Sequence, residues 1–140
     1  AGDDPPTSGL CLISVRDADT PAAVDVAERL VAQGFTLAAT GGTASALEAA
    51  GLSVRKVNKV AEGRPHIVDL IKNDEAAMII NTTEGRRAIM DSASIRASAE
   101  QHNVFYTTTL AAAEAVCMAL EQETDITVRR LQDLHESIAV

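Results

Sequence analysis

A three-layer α/β/α sandwich around a five-stranded, mainly parallel sheet is the fold this sequence predicts. Three features predict it. Five short apolar runs (Leu10–Val15, Phe35–Ala39, Leu52–Val57, Ala77–Ile80 and Val104–Tyr106) alternate with segments of helical periodicity, the pattern of βαβ units. Runs of this length and apolarity suit strands covered on both faces. The core is aliphatic, because 46% of residues are hydrophobic and only 2% aromatic, and small side chains suit close helix–sheet layers.

Each element has a local reason. After the first run, Pro21 to Gln33 carries an apolar stripe (Ala23, Val26, Leu30), with Thr20 placed as N-cap, Pro21 in the first turn and Gly34 as the stop. Thr43–Ala50 reads as a short helix closed by Gly51. Pro65 or His66 opens a helix running to Asn73, and Ala88–His102 is a helix with Ile89, Ile95 and Ala99 inward. Leu110–Leu120 is an alanine-rich helix, followed by a short Ile126–Val128 piece and a separate amphipathic segment, Leu131–Ile138. Residues 1–9, with Asp3-Asp4-Pro5-Pro6, read as a flexible linker, and residues 10–140 as one domain.

Composition narrows the function. The net charge of −8 and a pI near 4.7 argue against nucleic acid or an anionic membrane surface as partner. No apolar run approaches the roughly 20 residues of a membrane span. Cys11 and Cys117 both sit in apolar runs and read as buried free thiols, which fits a reducing compartment. His66, His102 and His135 lack metal-ligand spacing, so neither a metal nor a cofactor is expected.

In an open parallel sheet, ligands bind outside the carboxyl ends of the strands. Those ends are polar here. Thr40-Gly41-Gly42-Thr43 joins the second strand to a helix, where close backbone approach, free N–H groups and the helix dipole suit a phosphate; the plain alternative is a tight turn with Thr43 as N-cap. Lys59 follows the third strand and either faces an anion or is solvated. Asn81, Thr82 and Thr83, followed by Arg86 and Arg87, suit a ribose or base beside an anion; alternatively the threonines cap the next helix. No Ser/His/Asp grouping and no cysteine–base pair assembles at these ends. The site reads as one that holds an anion without transforming it.

The strings Asn58-Lys59-Val60-Ala61-Glu62-Gly63-Arg64-Pro65-His66-Ile67, Ile79-Ile80-Asn81-Thr82-Thr83 and Gly85-Arg86-Arg87-Ala88-Ile89 resemble the carboxyl-terminal regulatory domain of bacterial carbamoyl phosphate synthase large subunits. The resemblance covers nearly the whole chain and implies a methylglyoxal-synthase-like fold. It further implies a non-catalytic module of a cytoplasmic ATP-dependent ligase that serves pyrimidine and arginine biosynthesis. One shared site is implied to take the nucleotide monophosphates UMP, an inhibitor, and IMP, an activator. The implied partners are the remainder of the large subunit and the glutaminase small subunit; self-association is left open. Carried over, the phosphate sits on Thr40 and Thr43 with the Gly41–Gly42 backbone between them. Lys59 supplies charge, and the loop of Asn81, Thr82 and Thr83 meets ribose or base. The family has a Lys in the first loop where this chain has Thr20, so effector affinity or choice is expected to differ.

Two other readings stand beside this one. The first is a methylglyoxal-synthase-like lyase acting on dihydroxyacetone phosphate. Its Gly-Gly-Asp stretch, however, corresponds to Glu62-Gly63-Arg64-Pro65 here, which argues against that activity. The second is a structural cap without a ligand.

Overall fold

The computed structural model describes residues 8–58, 67–82 and 86–138, without the side chains of 86–92, 127, 128 and 132–138. The strands are β1 (Gly9–Ser14), β2 (Phe35–Thr40), β3 (Val54–Val57), β4 (Ala76–Asn81) and β5 (Phe105–Thr107). They form one sheet in the order β3-β2-β1-β4-β5. Every neighbouring pair is parallel, so the mainly parallel expectation becomes fully parallel. The helices are α1 (Thr20–Ala32), α2 (Gly41–Ala49), α3 (Ile67–Lys72), α4 (Arg86–Gln101) and α5 (Leu110–Ile138).

Side chains alternate across each strand, and the two faces collect separate cores. Cys11, Ile13, Leu37, Ala39, Met78 and Ile80 face α1, α2 and α5. Leu12, Ala38, Val57 and Ile79 face α3 and α4. Leu12, Ile13, Leu30, Ile79 and Ile80 are essentially sealed from solvent, and each such side chain contributes about 1.5–3 kcal/mol. The sheet thus carries one helix layer on either face, three layers in all.

Several boundaries differ from the sequence expectations, each for a local reason. Thr20 is the first residue of α1 rather than its cap; Asp19 holds the cap position, with Pro21 inside the first turn. β3 starts at Val54 and not at Leu52, because the Leu52 N–H is spent on the Leu47 carbonyl (3.1 Å) while Gly51 N–H bonds Glu48 (2.9 Å). That pair of bonds, with Gly51 at φ +89°, is a Schellman end to α2. The final helix does not break into two pieces. It runs unbroken for 29 residues, since no Gly or Pro interrupts it. The β-branched Ile126, Thr127 and Val128 cost only a few tenths of a kcal/mol each. Nearby, Arg129 pairs with Asp125 one turn earlier (3.2 Å), and Thr124 Oγ1 lies within donating reach of Gln33 Oε1 (2.8 Å) and the Leu120 carbonyl (3.0 Å).

Candidate functional site

β1 leads into α1 on one face of the sheet, and β4 leads into α4 on the other. The crevice between their carboxyl ends is therefore a topological switch point, the usual ligand position in such sheets. Ser14 and Asn81 are register partners there, and Thr82 N–H extends the pairing to the Ser14 carbonyl at 3.0 Å. Two residues upstream of Thr40, Ser14 and Asn81 stand Ala38, Leu12 and Ile79, all in the α3/α4 core. One step along each strand, that apolar row becomes polar. Tyr106, packed against the same core and register partner of Ile79, belongs to the apolar row and reaches the polar row of Thr40, Ser14 and Asn81 through its hydroxyl.

The row is internally bonded, as buried polar groups must be. Thr40 Oγ1 donates to Ser14 Oγ at 3.1 Å, and Asn81 Nδ2 donates to Tyr106 Oη at 2.9 Å. Thr40 and Asn81 are only 1% and 4% exposed. Next to them Thr107 Oγ1 donates to the Ile79 carbonyl.

α2 starts at Gly41, two residues earlier than Thr43. Thr40 therefore occupies the N-cap position with extended backbone, yet its hydroxyl makes no capping bond, being turned to Ser14. An N-cap hydroxyl ordinarily satisfies an N–H of the first turn; here that role is left open. Gly41 and Gly42 need no left-handed backbone, and a Cβ on either would meet nothing within 4 Å. Neither turn geometry nor packing among the described residues calls for glycine. In a helix each glycine costs up to about 1 kcal/mol relative to alanine. What the two glycines leave is open space at their Cβ positions, beside a first turn whose N–H groups the N-cap hydroxyl does not satisfy, at the positive end of a helix, an arrangement suited to an anion.

Thr43 is not the helix cap that the sequence allowed. It is buried, and its Oγ1 accepts the Val15 N–H at 3.2 Å while lying 3.5 Å from the Val15 carbonyl. Thr82 Oγ1 accepts the Arg16 N–H at 2.9 Å. Three predicted threonines thus converge on one short segment. Thr40 binds Ser14, Thr43 binds Val15, and Thr82 binds Arg16. Arg16 itself is tied to Asp19 at 2.8 Å.

The structure brings Thr40, Gly41, Gly42, Thr43, Asn81 and Thr82 to one edge. Lys59 and Thr83, together with Arg64 and Pro65, lie outside the described residues, as do the side chains of Arg86 and Arg87 at the start of α4. Sequence reasoning missed Ser14 and Tyr106. Ser14 had a usable signal, since it ends the apolar run of β1 as Thr40 ends that of β2. Tyr106, the only tyrosine, had none.

Two other clefts are present among the described residues, and neither fits an anion as well. One, at the amino edge of the sheet, is lined by Leu10, Phe35, Leu37 and the already paired Arg55 and Glu75 (3.0 Å). The other lies outside β5, where Arg96 stands 5.4 Å over the Tyr106 ring. No three His, Cys, Asp or Glu gather into a metal site among the described residues, and none of their helices is long and apolar enough to cross a membrane. Cys11 and Cys117 are free and buried, as expected. Burial pushes both thiols up, and for Cys117 the nearby Arg29 works in the opposite direction.

Fold and site define a class. Residues 22–108 match the MGS-like domain family, and the chain belongs to it. Its similarity to particular proteins is more specific. It is 60% identical over 133 residues to the carbamoyl phosphate synthase large chain of Pseudomonas putida, covering 95% of this chain and 12% of that protein. The large chains of Halomonas eurihalina (61% identity over 91% of this chain) and Xanthomonas axonopodis pv. citri (53% over 95%) are similar in the same way. The chain spans only 12% of the length of each.

Proposed function

We propose that this chain is the allosteric effector-binding domain of a carbamoyl phosphate synthase large chain. Its ligands are nucleotide monophosphates, with UMP as inhibitor and IMP as activator of carbamoyl phosphate synthesis for pyrimidine and arginine production. The observation that carries this reading is the uncapped Gly41–Gly42 start of α2, open to solvent beside a bonded polar row. The phosphate lies against the N–H groups of Gly41, Gly42 and Thr43. Thr43 Oγ1 already accepts from Val15 N, and its own proton, with only a 3.5 Å carbonyl partner, is available to a phosphate oxygen. Lys59 adds charge, and Asn81, Thr82 and Thr83 meet the ribose or base. No cofactor takes part.

A ligand regulates only through unequal contact with two states of the protein. Binding at Thr43 and Thr82 acts on Val15 and Arg16, the segment that leads into α1, and the rest of the large chain and the glutaminase small subunit read the change. The test is calorimetric titration of UMP, IMP and inorganic phosphate into the folded chain. Saturable binding of either nucleotide, tighter than phosphate alone, is expected; heat of dilution alone refutes the reading. Release of methylglyoxal from dihydroxyacetone phosphate above the buffer rate would favour the lyase instead.

A further inference from the structure

We infer that Tyr106 is a positioning residue of this site, its hydroxyl holding in place the Asn81 side chain that meets the nucleoside; this rests on the function proposed above. A carboxamide has nearly the same shape either way round, yet one end donates and the other accepts. A tyrosine hydroxyl can accept from one end or donate to the other, so its bond fixes where the side chain stands. Here Asn81 Nδ2 donates to Tyr106 Oη at 2.9 Å, which anchors the side chain on the β5 side.

Tyr106 is well placed to hold that side chain. Its register partner is Ile79, two residues before Asn81 on the same face of the sheet. The ring packs against the α3/α4 core on one side and lies under the Arg96 guanidinium, 5.4 Å from the ring centroid, on another. A ring so packed has little freedom, and its hydroxyl transmits that rigidity to Asn81. A purely structural tyrosine in this position needs only the ring, which Phe also supplies. The hydroxyl is what reaches Asn81.

The experiment compares wild type, Tyr106→Phe, Asn81→Ala and the double variant by calorimetric titration with UMP, IMP and inorganic phosphate, after thermal melts establish folding. Tyr106→Phe is expected to weaken nucleotide binding roughly three- to tenfold, the size of one neutral hydrogen bond, and to leave phosphate binding unchanged. In the double variant the Tyr106→Phe effect should vanish, because both changes remove one interaction. If Tyr106→Phe binds like wild type while Asn81→Ala is impaired, or if the two losses simply add, the positioning role is overturned. If phosphate binding falls in parallel, the hydroxyl acts through the general fold and the inference fails. Absence of nucleotide binding by wild type overturns the proposed function instead, so the two failures are distinguishable.

Discussion

Gly42→Ala separates what the helix wants from what the site wants. At the second position of α2 the backbone is helical, and the added methyl would meet nothing within 4 Å. Alanine gains up to about 1 kcal/mol over glycine inside a helix; so close to the terminus about half of that is expected. For a chain of this size 0.5 kcal/mol corresponds to roughly 2 °C in Tm. The same methyl tilts toward the helix N-terminus, as every helical Cβ does, and so enters the space where the phosphate lies. Loss of one charge-assisted hydrogen bond, about 1.5–3 kcal/mol, lowers affinity roughly ten- to a hundredfold. Stability and binding should therefore move in opposite directions. Thermal melts by circular dichroism give the first quantity, and calorimetric titration of UMP and phosphate the second. Wild-type affinity in the variant would refute placement of the ligand at α2. A drop in Tm would show that the space is not open.

Lys59→Ala should weaken nucleotide binding roughly ten- to a hundredfold and more than Arg86→Ala does in the same titration, because a net charge of −8 leaves local cations to overcome long-range repulsion. Thr20→Lys should tighten binding: Thr20 Oγ1 has only the Arg16 carbonyl at 3.5 Å, so little is lost by replacing it, and unchanged affinity would remove the first loop from the site. Cys11 and Cys117 should label slowly with a thiol reagent in native buffer and fast in denaturant, since burial holds both as thiols. The hydrogen bond from Arg29 holds the Glu121 carboxyl below its ordinary value, so this pair stabilises the fold above the ordinary carboxylate pKa and the contribution is lost as pH falls through the lowered one. Melts from neutral to acid pH should show a shallower acid decline in Glu121→Gln than in wild type.

Order and type of elements were legible because they depend on short-range chemistry. Apolar runs with helical segments between them specify parallel strands, and Gly51 or Pro21 acts on its own turn wherever the turn ends up. The Thr40–Thr43 and Asn81–Thr82 loops were legible as polar strand exits for the same reason. Boundaries followed less closely. Leu52 looks like a strand residue until its N–H is seen to close α2, and Ile126–Val128 looks like a separate short piece until the uninterrupted helix around it outweighs β-branching.

Sequence alone determined that this chain is an α/β domain with polar loops at its strand ends. Only the tertiary structure decided which of those polar groups meet. Strand order is a long-range property: β1 separates β2 from β4, so Ser14, near the start of the chain, lies between Thr40 and Asn81. Tyr106 reaches Asn81 across 25 positions of sequence because register aligns β5 with β4. The threonine hydroxyls also found their partners this way. Each bonds the exit of β1, since a hydroxyl takes whichever partner the packed sheet brings within reach.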